Sequence, residues 1–170
     1  MNDLKPRRDK LTILRLLLLT AGVAVGLRMF QWQLRRWDPS SDADWWRWMA
    51  AAILAGCSLP GPLFAIARRR SGARLKTGGI LWLTLGLGAW MLLPAVLVDR
   101  YRLGLTALYY CLPLTALWTT LAAAAAGRLN RRSLGRDAPW FERFGLYLGL
   151  AWSPLGIWHI VVFYWVPFFR

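Results

Sequence analysis

One histidine, eight carboxylates and two cysteines are all that 170 residues offer for metal binding, proton transfer or thiol chemistry. His159 stands seven residues after Trp152 and four before Phe163, so the three share one face of a helix. A neutral imidazole there could ligate the metal of a haem or a chlorophyll-type pigment, with Trp152, Tyr109 and Tyr110 as aromatic walls. It could equally bond a carbonyl or hydroxyl of a neighbouring helix. A two-histidine haem site cannot be built from one such chain. Ser58 is a candidate nucleophile with His159 as its base. It lies in Gly56-Cys57-Ser58-Leu59, which lacks the second glycine of a Gly-x-Ser-Gly turn, so no catalytic residue is assigned. Cys57 and Cys111 sit in apolar runs, where a thiol behaves as a small apolar group. Asp38, Asp42 and Asp44 cluster in a loop, and Ser41-Asp42-Ala43-Asp44 reads as a helix cap, not as a ligand set. Phosphate-binding glycine loops, zinc ligand pairs and Cys-x-x-Cys are absent. The sequence requires no metal and no cofactor, and it points away from an enzyme.

The elements that would carry these residues are strongly apolar. Hydrophobic residues make up 57% of the chain, and charged residues 18%. Soluble domains sit near 45–50% apolar with glycine included. Twelve tryptophans and a net charge of +14 accompany this apolar excess. Such a composition excludes a disordered basic tail, a disulfide scaffold and a histidine-rich metal site. Five runs, 11–30, 48–67, 77–98, 103–127 and 144–169, approach or exceed the 20 or so residues that a bilayer core needs. Backbone polar groups in lipid must be satisfied within the segment, so these runs are expected to be helices. A membrane barrel would instead show alternating segments about 10 residues long. The expected fold is an all-α integral membrane protein, one domain over 1–170 built as a bundle of five transmembrane helices. Lys5, Arg7, Arg8 and Lys10 before the first run also suit a signal peptide. Arg15 interrupts the apolar stretch, so an uncleaved helix is expected, with Arg15 snorkelling to the headgroups.

The distribution of charge sets an orientation. A strongly basic chain invites a nucleic-acid reading, yet the longest polar stretch, 31–47, is too short for a domain with its own core. The cations fall instead into clusters between the runs. Lys5, Arg7, Arg8, Lys10 and Arg15 lie on one side. So do Arg68, Arg69, Arg70, Arg74 and Lys76, and then Arg128, Arg131, Arg132, Arg136 and Arg143. The other side has Arg28, Arg35, Arg36, Arg47, Arg100, Arg102 and Arg170. The positive-inside rule then predicts a cytoplasmic N-terminus and an external C-terminus, with no nucleic-acid partner. Aromatic residues flank the same boundaries: Trp32, Trp37, Trp45, Trp46 and Trp48 outside, Trp140, Phe141 and Phe144 inside, and Trp165, Phe168 and Phe169 at the far end. Short loops and a strong arginine bias fit a bacterial inner membrane.

Prolines and small residues complete the pattern. Pro60, Pro62, Pro94, Pro113 and Pro154 each remove a backbone donor and are expected to kink their helices. Leu59-Pro60-Gly61-Pro62 would suit a broken helix lining a substrate path in a small transporter. Gly22 with Gly26, and Gly145, Gly149 and Ser153, recur at the four-residue spacing that lets helices approach closely in lipid. No Asp or Glu falls inside any of the five runs, which argues against ion-coupled transport. The expected role is a non-catalytic structural or accessory subunit, packing laterally in the bilayer against other membrane subunits. The alternatives are a cofactor- or lipophile-binding protein using His159 and Trp152, and a transporter using the Pro60–Pro62 kink.

Overall fold

The computed structural model describes residues 13–34, 42–97, 111–128 and 138–162. Within them the chain forms helices α1 (Ile13–Leu34), α2 (Asp42–Ser58), α3 (Gly61–Arg70), α4 (Thr77–Leu97), α5 (Leu112–Ala125) and α6 (Trp140–Ile160), and no strand. Several expected features lie outside the described residues: Lys5, Arg7, Arg8 and Lys10, Trp37, Asp38, Ser41, Tyr109 and Tyr110, Phe163, Trp165, Phe168 and Phe169. The loop cations at 35, 36, 100, 102, 131, 132, 136 and 170 do as well. Two described stretches, Ile13–Gln31 and Trp45–Arg70, are long and apolar enough to cross a membrane, and Thr77–Met91 and Leu112–Ala125 are shorter apolar helices.

Helix limits follow local chemistry. α4 starts at Thr77, as expected, directly after the cation cluster ending at Lys76. The run expected as one helix over 48–67 is two, and this corrects the sequence reading. Pro60 and Pro62 have no N–H to give the carbonyls of Gly56 and Ser58, so α2 stops at Ser58 and α3 begins at Gly61. The loss is confined to one turn. Leu59 N–H still bonds the Ala55 carbonyl at 3.1 Å, and Phe64 N–H bonds that of Pro60 at 3.1 Å. Helix α6 starts at Trp140, ahead of the apolar run at 144 and close to the start that Asp137-Ala138-Pro139 suggests, because Pro139 presents its carbonyl to the N–H groups of Glu142 (3.0 Å) and Arg143 (3.2 Å).

Small residues set the packing, α3 continues α2 beyond the break, and α1 runs antiparallel to α2. Along the α1–α2 seam, a side chain on Gly22 would strike the Gly56 carbonyl, and one on Gly26 that of Ala52. In the reverse direction a Cβ on Gly56 would lie 2.6 Å from the Gly22 carbonyl. Helices α4 and α6 run parallel, with Gly78 against Glu142 and Gly145 against Gly78, closer than any Cβ permits. Helix α5 returns antiparallel to α6, with Thr120 beside Gly149 and the Pro113 carbonyl beside Gly156. Ser153 does not extend this seam. Its hydroxyl turns back to the Gly149 carbonyl at 2.9 Å. Among the other prolines, α4 continues through Pro94, Pro113 is the second residue of α5, and Pro154 lies inside α6 without ending it.

The core is centred on two tryptophans. Trp82 and Trp152 are wholly buried, among Ala51, Ala55, Leu85, Ala89 and Ala116. Around Trp82 gather Phe144 (ring centroids 4.6 Å apart), Phe141 (5.0 Å) and Phe64 (5.2 Å), with Trp140 at 5.7 Å. Trp140, Phe141 and Phe144 therefore knot α3, α4 and α6 together, whereas the sequence suggests rings lying in a headgroup belt. At the opposite end, Phe30 of α1 meets Trp45 of α2 edge-on at 6.0 Å.

Candidate functional site

The break between α2 and α3 exposes carbonyls that its own helix cannot satisfy. Tryptophans from other elements supply the donors. The Trp82 indole N–H donates to the Cys57 carbonyl at 2.9 Å, and that of Trp90 to the Leu59 carbonyl at 2.8 Å. Ser58, wholly buried, donates its hydroxyl proton to the Leu54 carbonyl at 2.8 Å and accepts from the Trp152 indole at 3.3 Å. The candidate nucleophile is thus engaged in packing two helices. Pro60, Gly61 and Pro62 are themselves buried, with Gly22 of α1 against Pro60, Trp82 of α4 against Gly61 and Gly86 of α4 against Pro62.

Trp152 and His159 share the inward face of α6, as their spacing implies, with His159 only 3% exposed. Trp152 is enclosed by the core, its indole N–H used by Ser58. Nδ1 of His159 lies 2.6 Å from the Leu155 carbonyl one turn earlier. A carbonyl can only accept, so this nitrogen carries the proton and Nε2 is the acceptor of the neutral ring. Next to it in sequence, Trp158 takes the Arg47 guanidinium over its ring at 5.1 Å. Cys57 and Cys111 are both free thiols, half-buried and exposed respectively. Among the described residues no three His, Cys, Asp or Glu side chains are grouped to hold a metal ion.

Polar groups converge instead at the other end of the molecule. There the start of α1, the end of α3, the start of α4, the end of α5 and the start of α6 come together. Arg15 lies over the Trp140 ring at 5.4 Å, and Arg68 over Phe141 at 5.6 Å. Gly72, at φ 75°, turns the chain out of α3 beneath them. At the centre stands Glu142, only 2% exposed. Oε1 accepts the Lys76 N–H at 2.9 Å and Oε2 the Gly79 N–H at 2.7 Å. Helix α4 has no acidic residue in its own first turn, so a carboxylate 63 residues further on caps it. Beside Glu142 opens a cleft of about 420 Å³ lined by Leu75, Lys76, Thr77, Gly78, Ile80, Arg128, Glu142 and Leu146.

This end is the part of the site that the sequence does not announce. Asp137-Ala138-Pro139 suggests a helix start near Ala138 and so places Glu142 in a first turn, but its pairing with α4 is long-range. The signal was Pro139, which sets an N-terminus three residues before a rare carboxylate. The indole donors had a general signal, since two prolines two residues apart break the helix and the break also leaves the Cys57 and Leu59 carbonyls for other donors to meet. The chain matches no protein family, no curated protein and no solved structure.

Proposed function

We propose that the chain is a small polytopic membrane protein of five spans. In this reading its N-terminus is cytoplasmic, its C-terminus is external, and it acts as a non-catalytic accessory subunit packed among other subunits of a larger complex. One observation carries this reading: large apolar side chains point outward on every described helix, while cations collect at the ends. Leu17, Trp46, Ile66, Met91, Trp118 and Ile157, one from each helix, are all 50% or more exposed, up to 80% at Met91. Water would not tolerate a girdle of this extent, whereas acyl chains or a neighbouring apolar helix would cover it. The inward polar groups support the non-catalytic half. Ser58, Trp82, Trp90, Trp152 and Glu142 each spend their hydrogen bonds on holding one helix to another. Helix α1 supports the lateral role. It leans on the molecule mainly through the glycine seam with α2, and only 17% of its apolar window is buried. Its outward face is where a partner helix would pack.

The test is extraction in a mild detergent followed by native gel separation and native mass spectrometry. Co-migration with other membrane proteins is expected. Migration as a lone monomer or as a homo-oligomer overturns the subunit reading. Release from membranes by alkaline carbonate overturns the membrane reading.

A further inference from the structure

We infer that the cleft beside Glu142 binds the phosphate group of an anionic phospholipid, a site that rests on the membrane reading above. Its lining divides by chemistry. Lys76, Arg128 and the Thr77 hydroxyl are the groups that hold a phosphate oxygen, whereas Ile80 and Leu146 offer apolar surface. Ile80 is 49% exposed on the outer side of α4, so an acyl chain can leave the cleft along the helix, where the next polar side chain, Thr84, already donates its hydroxyl proton to the Ile80 carbonyl. A volume of about 420 Å³ lies within the 300–1,000 Å³ range of small-molecule sites and suits a glycerophosphate head with its tails outside. Position agrees with composition. The cleft lies at the end where α1, α3, α5 and α6 bring Arg15, Arg68, Arg128 and Arg143, the headgroup level of the basic side in the proposed topology.

Charge favours an anionic lipid. Among the described residues the cleft is lined by two cations and one carboxylate, and both oxygens of that carboxylate accept backbone N–H groups. Glu142 therefore fixes the wall of the site. A lipid held there bridges the starts of α4 and α6, already joined by the Glu142 cap, to the end of α5.

The experiment uses the full chain in mild detergent, titrated with phosphatidylglycerol, phosphatidylcholine or inorganic phosphate and read by native mass spectrometry. The double variant Lys76→Gln/Arg128→Gln is compared with Arg69→Gln/Arg70→Gln, which removes equal charge from the same end but outside the cleft. Phosphatidylglycerol adducts are expected to survive at activation energies that strip phosphatidylcholine. Their affinity should fall about thirtyfold in the cleft variant, the factor given by two headgroup-level cations, and hold in the control. Equal retention of both lipids, or equal losses in the two variants, overturns the site. Saturation by inorganic phosphate with no preference for the lipid overturns the lipid and assigns the cleft to a soluble phosphate. Circular dichroism confirms that each variant is folded. Membrane reading and lipid site fail separately, because a chain that resists carbonate extraction yet binds both lipids alike keeps the first and loses the second.

Discussion

At the scale of single residues, two of the buried polar groups, Ser58 and Glu142, each hold a joint between helices. Glu142 is the clearest. Truncating it to Ala leaves the N–H groups of Lys76 and Gly79 without their acceptor in a closed site, and a hydrogen bond to a charged group is worth roughly 1.5–3 kcal/mol. Glu142→Ala should therefore lower the midpoint of thermal unfolding in detergent well below that of Glu142→Gln, which keeps one carbonyl acceptor. Equal midpoints for the two would remove the cap from the account. The indoles at the helix break make a second case. Trp90 is 40% exposed, so Trp90→Phe changes little packing and mainly strands the Leu59 carbonyl, at about 1–3 kcal/mol. Its cost should shrink in a Pro62→Ala background if that N–H lets the helix re-form past the break. A double-mutant cycle on unfolding midpoints reads this coupling, and strict additivity would contradict it. His159 gives a third. With the ring only 3% exposed and so closed to a large macrocycle, a purified preparation is expected to be colourless, and His159→Ala to leave its visible spectrum unchanged. A Soret or chlorin band lost in the variant would restore the pigment reading.

At the scale of elements, helices join where glycine lets backbones touch. The α1–α2 seam predicts that Gly26→Leu, whose side chain would enter the Ala52 carbonyl, detaches α1, measured as faster proteolysis of the N-terminal segment in detergent. Ala24→Leu adds more bulk on the exposed face two residues away and should leave the digestion rate unchanged. Similar rates for both would mean that α1 is held by something other than this seam. This part of the fold was legible beforehand, because Gly22 and Gly26 at one spacing, and Ala52 and Gly56 at the same spacing, carry the contact in their sizes alone. The α4 limits were legible for a similar reason, with Lys76 before an unbroken apolar run. The break at Pro60 was harder to read. Prolines are tolerated inside membrane helices when neighbours supply donors, and Trp82 and Trp90 lie 25 and 31 residues from the carbonyls they serve. Glu142 was hidden for the same reason. Its partners are settled by the parallel alignment of α4 and α6, which no local pattern encodes.

At the scale of the whole molecule, orientation follows from where the antiparallel order delivers the cations. Arg15, Arg68 and Lys76 arrive at one end with Arg128 and Arg143, and Arg47 meets Trp158 at the other. This arrangement comes from packing distances alone, independent of any rule about membranes, yet it sorts the described cations as the charge count along the chain does. The proposed topology takes the first of these ends as cytoplasmic, which fusions can test. A fluorescent protein that matures only in the cytoplasm should light when joined after residue 74 and stay dark after residue 37 or 170. A phosphatase active only outside should report the reverse at all three points. Because the loop 68–76 carries five cations, changing Arg68, Arg69, Arg70, Arg74 and Lys76 to Gln removes a third of the inward charge, so part of the population should invert and show both signals at residue 170. Arg128 and Arg143 remain in that variant, as do the N-terminal cations, so inversion should be partial. Cytoplasmic signals at both residue 74 and residue 170 in the unaltered chain would require an even number of spans, and the five-span reading would fall with them.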